Sequence, residues 1–305
     1  MTFRFTTQFT LFAFCSLFFI SCSTKSIIVS SLGGFLDDAF VAVNEESDLS
    51  IAEASIASNL KLLDAMLKTK PNDEHLLLLA SQGYAGFALG FVEDENKERA
   101  KELYLRSKNY AQKILLQQES FRKGFEGTVE ELQSALKTSP KENIPAIFWT
   151  ALSWGSSAQL DLTNPDAIAA IPKIEMMMKF VAENDSAYYF SGANFFLGAL
   201  YGSRAKMFGG DPEKSQQYFE KALRINEGKF LLTQIYYAKY YCVQTQNQEL
   251  FEQLLTTVDN TSLDISPEQK LTNAIAKKKA KLLREKIRSE EHTSELQSRF
   301  GISYA

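Results

Sequence analysis

Apolar positions recur along this chain with the period of an α-helix, in one segment after another. Over residues 51–68 the stripe runs Ile56, Leu60, Leu63 and Leu67, widened by Leu62 and Met66. It stops ahead of Pro71, whose ring disfavours helical backbone in the preceding residue. Residues 75–91 are apolar nearly all round (LLLLA, then YAGFALGF), which predicts a central helix buried on most sides. The spacing predicts further helices over 99–116, 126–137, 145–160, 165–181, 231–241, 249–258 and 267–287. Near the start, Phe35, Leu36, Ala39, Phe40 and Val43 predict a short helical piece. Three starts share one device: Asn164-Pro165, Asp211-Pro212 and Ser266-Pro267 each set a capping side chain before a proline, whose missing N–H leaves nothing unsatisfied in a first turn. Gln269 stands at the capping-box position after Ser266. No stretch alternates with the period of a strand, so the predicted fold class is all-α.

Residues 193–228, ANFFLGALYGSRAKMFGGDPEKSQQYFEKALRINEG, read as two helices around a glycine-rich turn. The first presents Leu197, Gly198 and Tyr201; the second presents Ser215, Phe219 and Ala222. Small residues let the two helices close, and the aromatics fill the holes between them. Both triplets resemble the helices of a tetratricopeptide (TPR) repeat, with a longer connector that holds Gly209-Gly210-Asp211-Pro212. Ala100, Tyr104 and Ser107 repeat the second-helix spacing. The resemblance implies a TPR-like α-solenoid of stacked antiparallel helix pairs curved around a groove, with the connector shaping its rim.

The two ends read differently. Behind Arg4, residues 9–20 form an uncharged apolar run too short to span a bilayer and of the length of a signal-peptide core. It ends in Phe19-Ile20-Ser21-Cys22, which resembles a bacterial lipobox apart from Phe19, where leucine is usual. The alternative is an ordinary secretory signal with an incidental cysteine. Lipid on Cys22 would anchor the chain, and Ser23 supplies no inner-membrane retention signal. The expected location is therefore the periplasm, with a lipid anchor in a bacterial envelope membrane, the outer one preferred. Residues 288–298, RSEEHTSELQS, resemble the translation of a sequencing-library adapter, the alternative being a genuine polar helical tail. The expected plan is a signal peptide over 1–21, a lipidated tether with a short helix over 22–48, the helical domain over 49–287, and a tail over 288–305 kept out of the functional reading. Cys15 leaves with the signal peptide, and Cys242 is expected to be buried beside Tyr240 and Tyr241 as a small hydrophobe.

Composition narrows the function. Of 305 residues, 45% are hydrophobic, ample for a sizeable core, and a net charge of −4 argues against a nucleic-acid binder. Two histidines and three cysteines leave little material for a metal site, and no cofactor is implied. Carboxylate pairs such as Glu130 and Glu131 lack an acid–base partner, no nucleophile motif or dinucleotide fingerprint occurs, and the chain is not read as an enzyme. The GGDP turn lacks the Lys-Ser/Thr pair and preceding strand of a phosphate loop. The charged run of residues 93–99 reads as a solvated loop, and Lys277, Lys278, Lys279 and Lys281 as the solvated face of a terminal helix. Met176, Met177 and Met178 read as core filling. The candidates for a ligand groove are Trp149, Trp154, Tyr188, Asn194 and Tyr201, with core packing the competing role for the aromatics. Trp154 stands beside Gly155, whose missing side chain would leave room for a ligand.

Taken in order, FWTALSWG, DLTNPDAIAAIPKIEMMMKFV, NFFLGALYG and FGGDPEKSQQYFEKALRINEGKFLLTQIYYAKYYC resemble the T component of periplasmic TRAP transporter systems. The similarity extends upstream to SNLKLLDAMLKTKPNDEHLLLLASQGY and downstream to NAIAKKKAKLL, over about Leu49 to Leu283. The resemblance implies a TPR-type accessory lipoprotein that associates with a periplasmic solute-binding P component and forms a homo-oligomer, a trimer. Its groove or pore would hold or pass a small apolar or carboxylate-bearing solute. No catalytic residues carry over. The alternative is a TPR scaffold lipoprotein that binds extended peptides during envelope assembly.

Overall fold

The computed structural model describes residue 29 and residues 34–300, with side chains as far as residue 289; the signal-peptide reading and Cys22 lie outside these residues. Helix α1 covers residues 34–44. Helix α2 (Leu49–Thr69) starts on Asp48, whose carboxylate accepts the Ser50 N–H at 2.8 Å and the Ile51 N–H at 3.2 Å. Such a cap satisfies donors that the first helical turn leaves unpaired. Helix α3 (Glu74–Phe87) continues through a π-helical turn, Ala88–Val92. By length and composition α3 with its π-turn could cross a membrane, but 72% of that window is buried inside the protein, which makes it the central core helix. There follow α4 (Lys97–Leu115), α5 (Glu119–Glu126), α6 (Val129–Lys137), α7 (Ile144–Gln159), α8 (Pro165–Asn184), α9 (Tyr188–Gly202) and α10 (Pro212–Ile225). Helix α11 (Leu232–Tyr236) runs through a second π-turn, Tyr237–Cys242, into α12 (Val243–Thr245). Helices α13 (Gln248–Asn260) and α14 (Lys270–Phe300) complete an all-α stack with no strand among the described residues.

Neighbours in the stack pack in sequence: α3 on α4, α4 on α7, α7 on α8, and α9 on α10. The small–aromatic triplets do the packing. A Cβ on Gly198 would lie 2.9 Å from the Phe219 ring, so only glycine lets α9 and α10 close to this distance. Ser215 Oγ donates to the Gly198 carbonyl at 2.8 Å across the same seam. Ser81, Ser107 and Ser153 make a buried hydroxyl chain, at 3.0 and 2.6 Å, that ties α3, α4 and α7 together. Helix α14 packs on α11 and α13 and also reaches back to α2, so the curve closes on itself. The apolar interior divides into two clusters. One runs from α1 to α9 with Phe148 and Leu63 at its centre; the other gathers Phe219, Phe230 and Leu255 against Ala276 and Ala280 of α14.

Two starts differ from the sequence reading. The helix expected over 126–137 starts at Val129 instead, where Thr128 and Glu131 form a capping box, and Glu126 ends a separate helix, α5, which the sequence reading did not predict. A Cβ on Gly127 would sit 1.9 Å from the Glu131 carboxylate. At Ser266 the expected capping box does not form. The Ser266 hydroxyl donates to Glu268 Oε1 at 2.7 Å instead, and a 3₁₀ turn, Pro267–Gln269, precedes α14. Asn164 and Asp211 cap α8 and α10, accepting from Asp166 N at 2.9 Å and Lys214 N at 3.1 Å.

Cys242 is a free, buried thiol 2% exposed, and burial pushes its thiol up to about 12. Its stabilising contribution is complete below about pH 8.5, the ordinary value of the unfolded thiol, and is lost as the pH rises from there towards about 12. In a Cys15→Ser, Cys22→Ser variant at pH 8, the folded chain should therefore leave Ellman's reagent unreacted until denaturant exposes Cys242. Rapid labelling without denaturant would contradict the buried placement.

Candidate functional site

A cavity of about 230 Å³ lies inside the closed curve, walled by residues of both apolar clusters. Helices α3, α7, α9 and α11 supply most of its wall, and Phe40 and Val43 of α1 with Leu271 and Ile275 of α14 close it. The wall has an aromatic end and a polar end.

The aromatic end is built by Phe148 and Trp149 of α7, Tyr189 of α9 and Phe230. The Tyr189 ring stands edge-on to Trp149 at 4.7 Å and lies 5.7 Å from Phe148 and 6.3 Å from Phe230. Such edge and offset contacts are each worth about 0.5–1.5 kcal/mol beyond area burial. The backbone that carries Tyr189 is unusual. Tyr189, Phe190 and Ser191 have φ of 46°, 57° and 65°, three consecutive non-glycine residues in the left-handed region. Each such residue costs roughly 1–2 kcal/mol, so tertiary contacts must hold the turn. Asn194 Nδ2 donates to Ser186 Oγ and Ser191 Oγ, both at 3.0 Å, and Asn226 Nδ2 donates to the Phe190 carbonyl at 3.2 Å. Phe190 stacks on Phe230 with ring centroids 5.5 Å apart. A Cβ on Gly192 would meet the Phe148 ring at 2.6 Å, so the chain closes onto that ring directly after the turn.

The polar end faces it from the two π-turns, a helix distortion that recurs at functional sites. Glu93 follows the first; Lys239 and Tyr240 sit on the second, which Tyr236 precedes. Glu93 accepts from Tyr104 Oη at 2.6 Å, from Tyr236 Oη at 3.4 Å and from Lys279 Nζ at 2.9 Å, and Lys279 also meets Asp94 at 2.7 Å. Burial raises the Tyr104 and Tyr236 phenols well above their ordinary value, so both remain hydrogen-bond donors. This corrects two expectations. Lys279 is not on a solvated face but 6% exposed, and Glu93 is not in a solvated loop, because the closing helix brings the two charges together. Lys239 is exposed at the cavity margin with its ammonium over the rings of Tyr240, at 5.0 Å, and Tyr236, at 5.6 Å, and makes no ion pair among the described residues.

Of the groove candidates, Trp149 lines the cavity. Trp154 points away from it, against Phe125 at 6.3 Å and beneath the Lys108 ammonium at 4.7 Å. The space beside Gly155 is taken, since a Cβ there would lie 2.2 Å from the Phe196 ring. Tyr188 packs edge-on to Phe148 behind the wall, and its neighbour Tyr189 holds the lining position. Asn194 is fully buried under the left-handed turn. Tyr201 donates to Glu175 at 2.7 Å and stacks on Tyr218, outside the lining. Tyr189, Phe195 and Phe196, which the sequence groups with Tyr188 and Phe190 as an aromatic cluster that packing or an apolar ligand could use, do line the cavity, whereas Glu93 and Tyr236 were not singled out as lining residues. The GGDP connector begins at the cavity, where Ser203 donates to Gln159 at 3.3 Å, then leads its Met207 and Phe208 side chains into solvent. Among the described residues no group of His, Cys, Asp and Glu is arranged to hold a metal.

A family model described as TRAP transporter T-component matches residues 45–289. The chain belongs to that family. The T-component match begins just before α2 and takes in every helix that walls the cavity except α1. No curated protein matches the chain. Membership makes the chain an accessory component of TRAP transport.

Proposed function

We propose that this T component is a non-enzymatic periplasmic lipoprotein, anchored through Cys22, that works beside a solute-binding protein and holds a small apolar or carboxylate-bearing solute in its central cavity. The observation that carries the reading is the closed stack around a cavity whose wall is mainly apolar and aromatic, with a minority of polar side chains that include Glu93 and Tyr236. Pockets with that mixture bury a ligand's apolar body and orient it through a few hydrogen bonds. The buried Glu93–Lys279 pair is held by the hydroxyls of Tyr104 and Tyr236, which stay protonated, so it reads as a structural ion pair. Self-association, as a trimer, belongs to the same reading.

The test is chemical crosslinking of the Cys22-anchored protein and of a Cys22→Ser variant in the native host, followed by identification of the captured proteins. The expected result is a periplasmic solute-binding protein captured by both forms, with only the parent in the membrane fraction. Capture of outer-membrane assembly proteins in its place would overturn the reading in favour of an envelope-assembly scaffold.

A further inference from the structure

We propose that Tyr189, carried on the left-handed turn of residues 189–191, is the gate through which a solute passes between the cavity and the outside. The inference rests on the reading of the cavity as a ligand site. Its first support is position. Tyr189 lines the cavity yet keeps 37% of its surface exposed, and crowding by neighbouring protein pushes its phenol up to about 12. A residue that lines the cavity and is also exposed stands at the cavity's margin, as Lys239 does.

The second support is how the ring is held. Its hydroxyl makes no hydrogen bond among the described residues, and its neighbours are the edges and faces of Phe148, Trp149, Tyr188, Phe190 and Phe230. Rings held by such contacts alone slide past one another without stranding a buried polar group. The third support is the backbone. Tyrosine, phenylalanine and serine all prefer the right-handed region, so residues 189–191 carry a bias towards a second arrangement. The latches that oppose it are side-chain amides: Asn226 on the Phe190 carbonyl, and Asn194 on Ser191, with the Asn194 Oδ1 itself buried and unpartnered. A segment whose local preference and tertiary contacts disagree has two accessible states, which is what a gate requires. Tyr189 packs on both Phe148 and Phe230, and Phe190 on Phe230, so the turn sits over the seam between the two clusters in which the cavity lies.

The experiment is stopped-flow binding of the neutral apolar dye N-phenylnaphthylamine to the parent protein and to Tyr189→Phe, Tyr189→Gly and Tyr189→Ala. Tyr189→Phe keeps the ring and should match the parent. Tyr189→Gly removes the ring and places a residue that tolerates positive φ. Because the ring itself is the barrier, its removal should raise the association rate by roughly tenfold even though glycine relaxes the strain of the turn. Loss of an ordinary wall contact would raise only the dissociation rate, so an unchanged association rate overturns the gate while the cavity reading stands. Tyr189→Ala should move the association rate in the same direction and decides the matter if the glycine variant does not fold. Dye that binds the variants but not the parent supports a closed gate. Dye that binds none of the four proteins overturns the gate and the cavity reading together.

Discussion

Replacing Lys279 by methionine should lower the melting temperature by roughly 6–12 °C, the largest effect expected of any charge on this protein. The substitution strands two carboxylates: Glu93, with its side chain 12% exposed, and Asp94, at 31%. Removing one partner of a buried pair costs about 3–5 kcal/mol, and the partial exposure of Asp94 puts this case near 3. A domain of this size loses about 2–4 °C for each kcal/mol. Adding Glu93→Gln and Asp94→Asn to Lys279→Met should recover most of the loss, because no uncompensated charge then remains inside. Calorimetric melts of the single and triple variants decide it. A loss below about 1 kcal/mol for the single variant would mean that the cluster behaves as a surface pair.

Gly86→Leu should strongly weaken uptake of an apolar ligand while leaving the fold intact. Gly86 lines the cavity, and a Cβ built there meets nothing within 4 Å, in contrast to Gly155 and Gly192, whose space is filled by rings. A leucine at this helical position gains up to about 1 kcal/mol of helix propensity, so the melting temperature should hold or rise slightly. Gly86 is exposed within the lining, so a leucine side chain there extends into the open space of the cavity. Several methylene groups in a space of about 230 Å³ leave too little for a ligand, and binding of N-phenylnaphthylamine should weaken by at least about thirtyfold, or 2 kcal/mol. Titration calorimetry on both proteins is the measurement. Unchanged affinity at unchanged stability would show that the dye binds elsewhere.

The helices were legible because their signal is local. The stripe Ile56, Leu60, Leu63, Leu67 repeats every turn, and the cap at Asp211-Pro212 acts within one turn of itself, so neither needs the rest of the chain. The packing triplet Gly198 with Phe219 was legible for a related reason: a small residue and an aromatic at fixed spacing can only serve close helix contact. The missed start at Thr128 was also written locally, in the Thr-x-x-Glu of a capping box, which the amphipathic run around it obscured.

The site was less legible. Glycine marks missing volume, but whether a ligand or a ring fills it depends on the opposing helix, and at Gly155 that is Phe196. Trp149 and Trp154 look equivalent in FWTALSWG, and the direction each faces follows from how α7 is rotated between α4 and α8. By itself, then, the sequence determined the all-α class, the order of most helices, the caps at Asn164 and Asp211, and the membership of the T-component family. Only the tertiary structure decided that the curve closes, because that depends on α14 meeting α2, and it pairs Lys279 with Glu93 across 186 residues. It alone also decided the left-handed turn at Tyr189–Ser191. No local preference of those residues favours positive φ, and the turn exists because Asn194, Asn226, Phe148 and Phe230 converge on it from elsewhere in the chain.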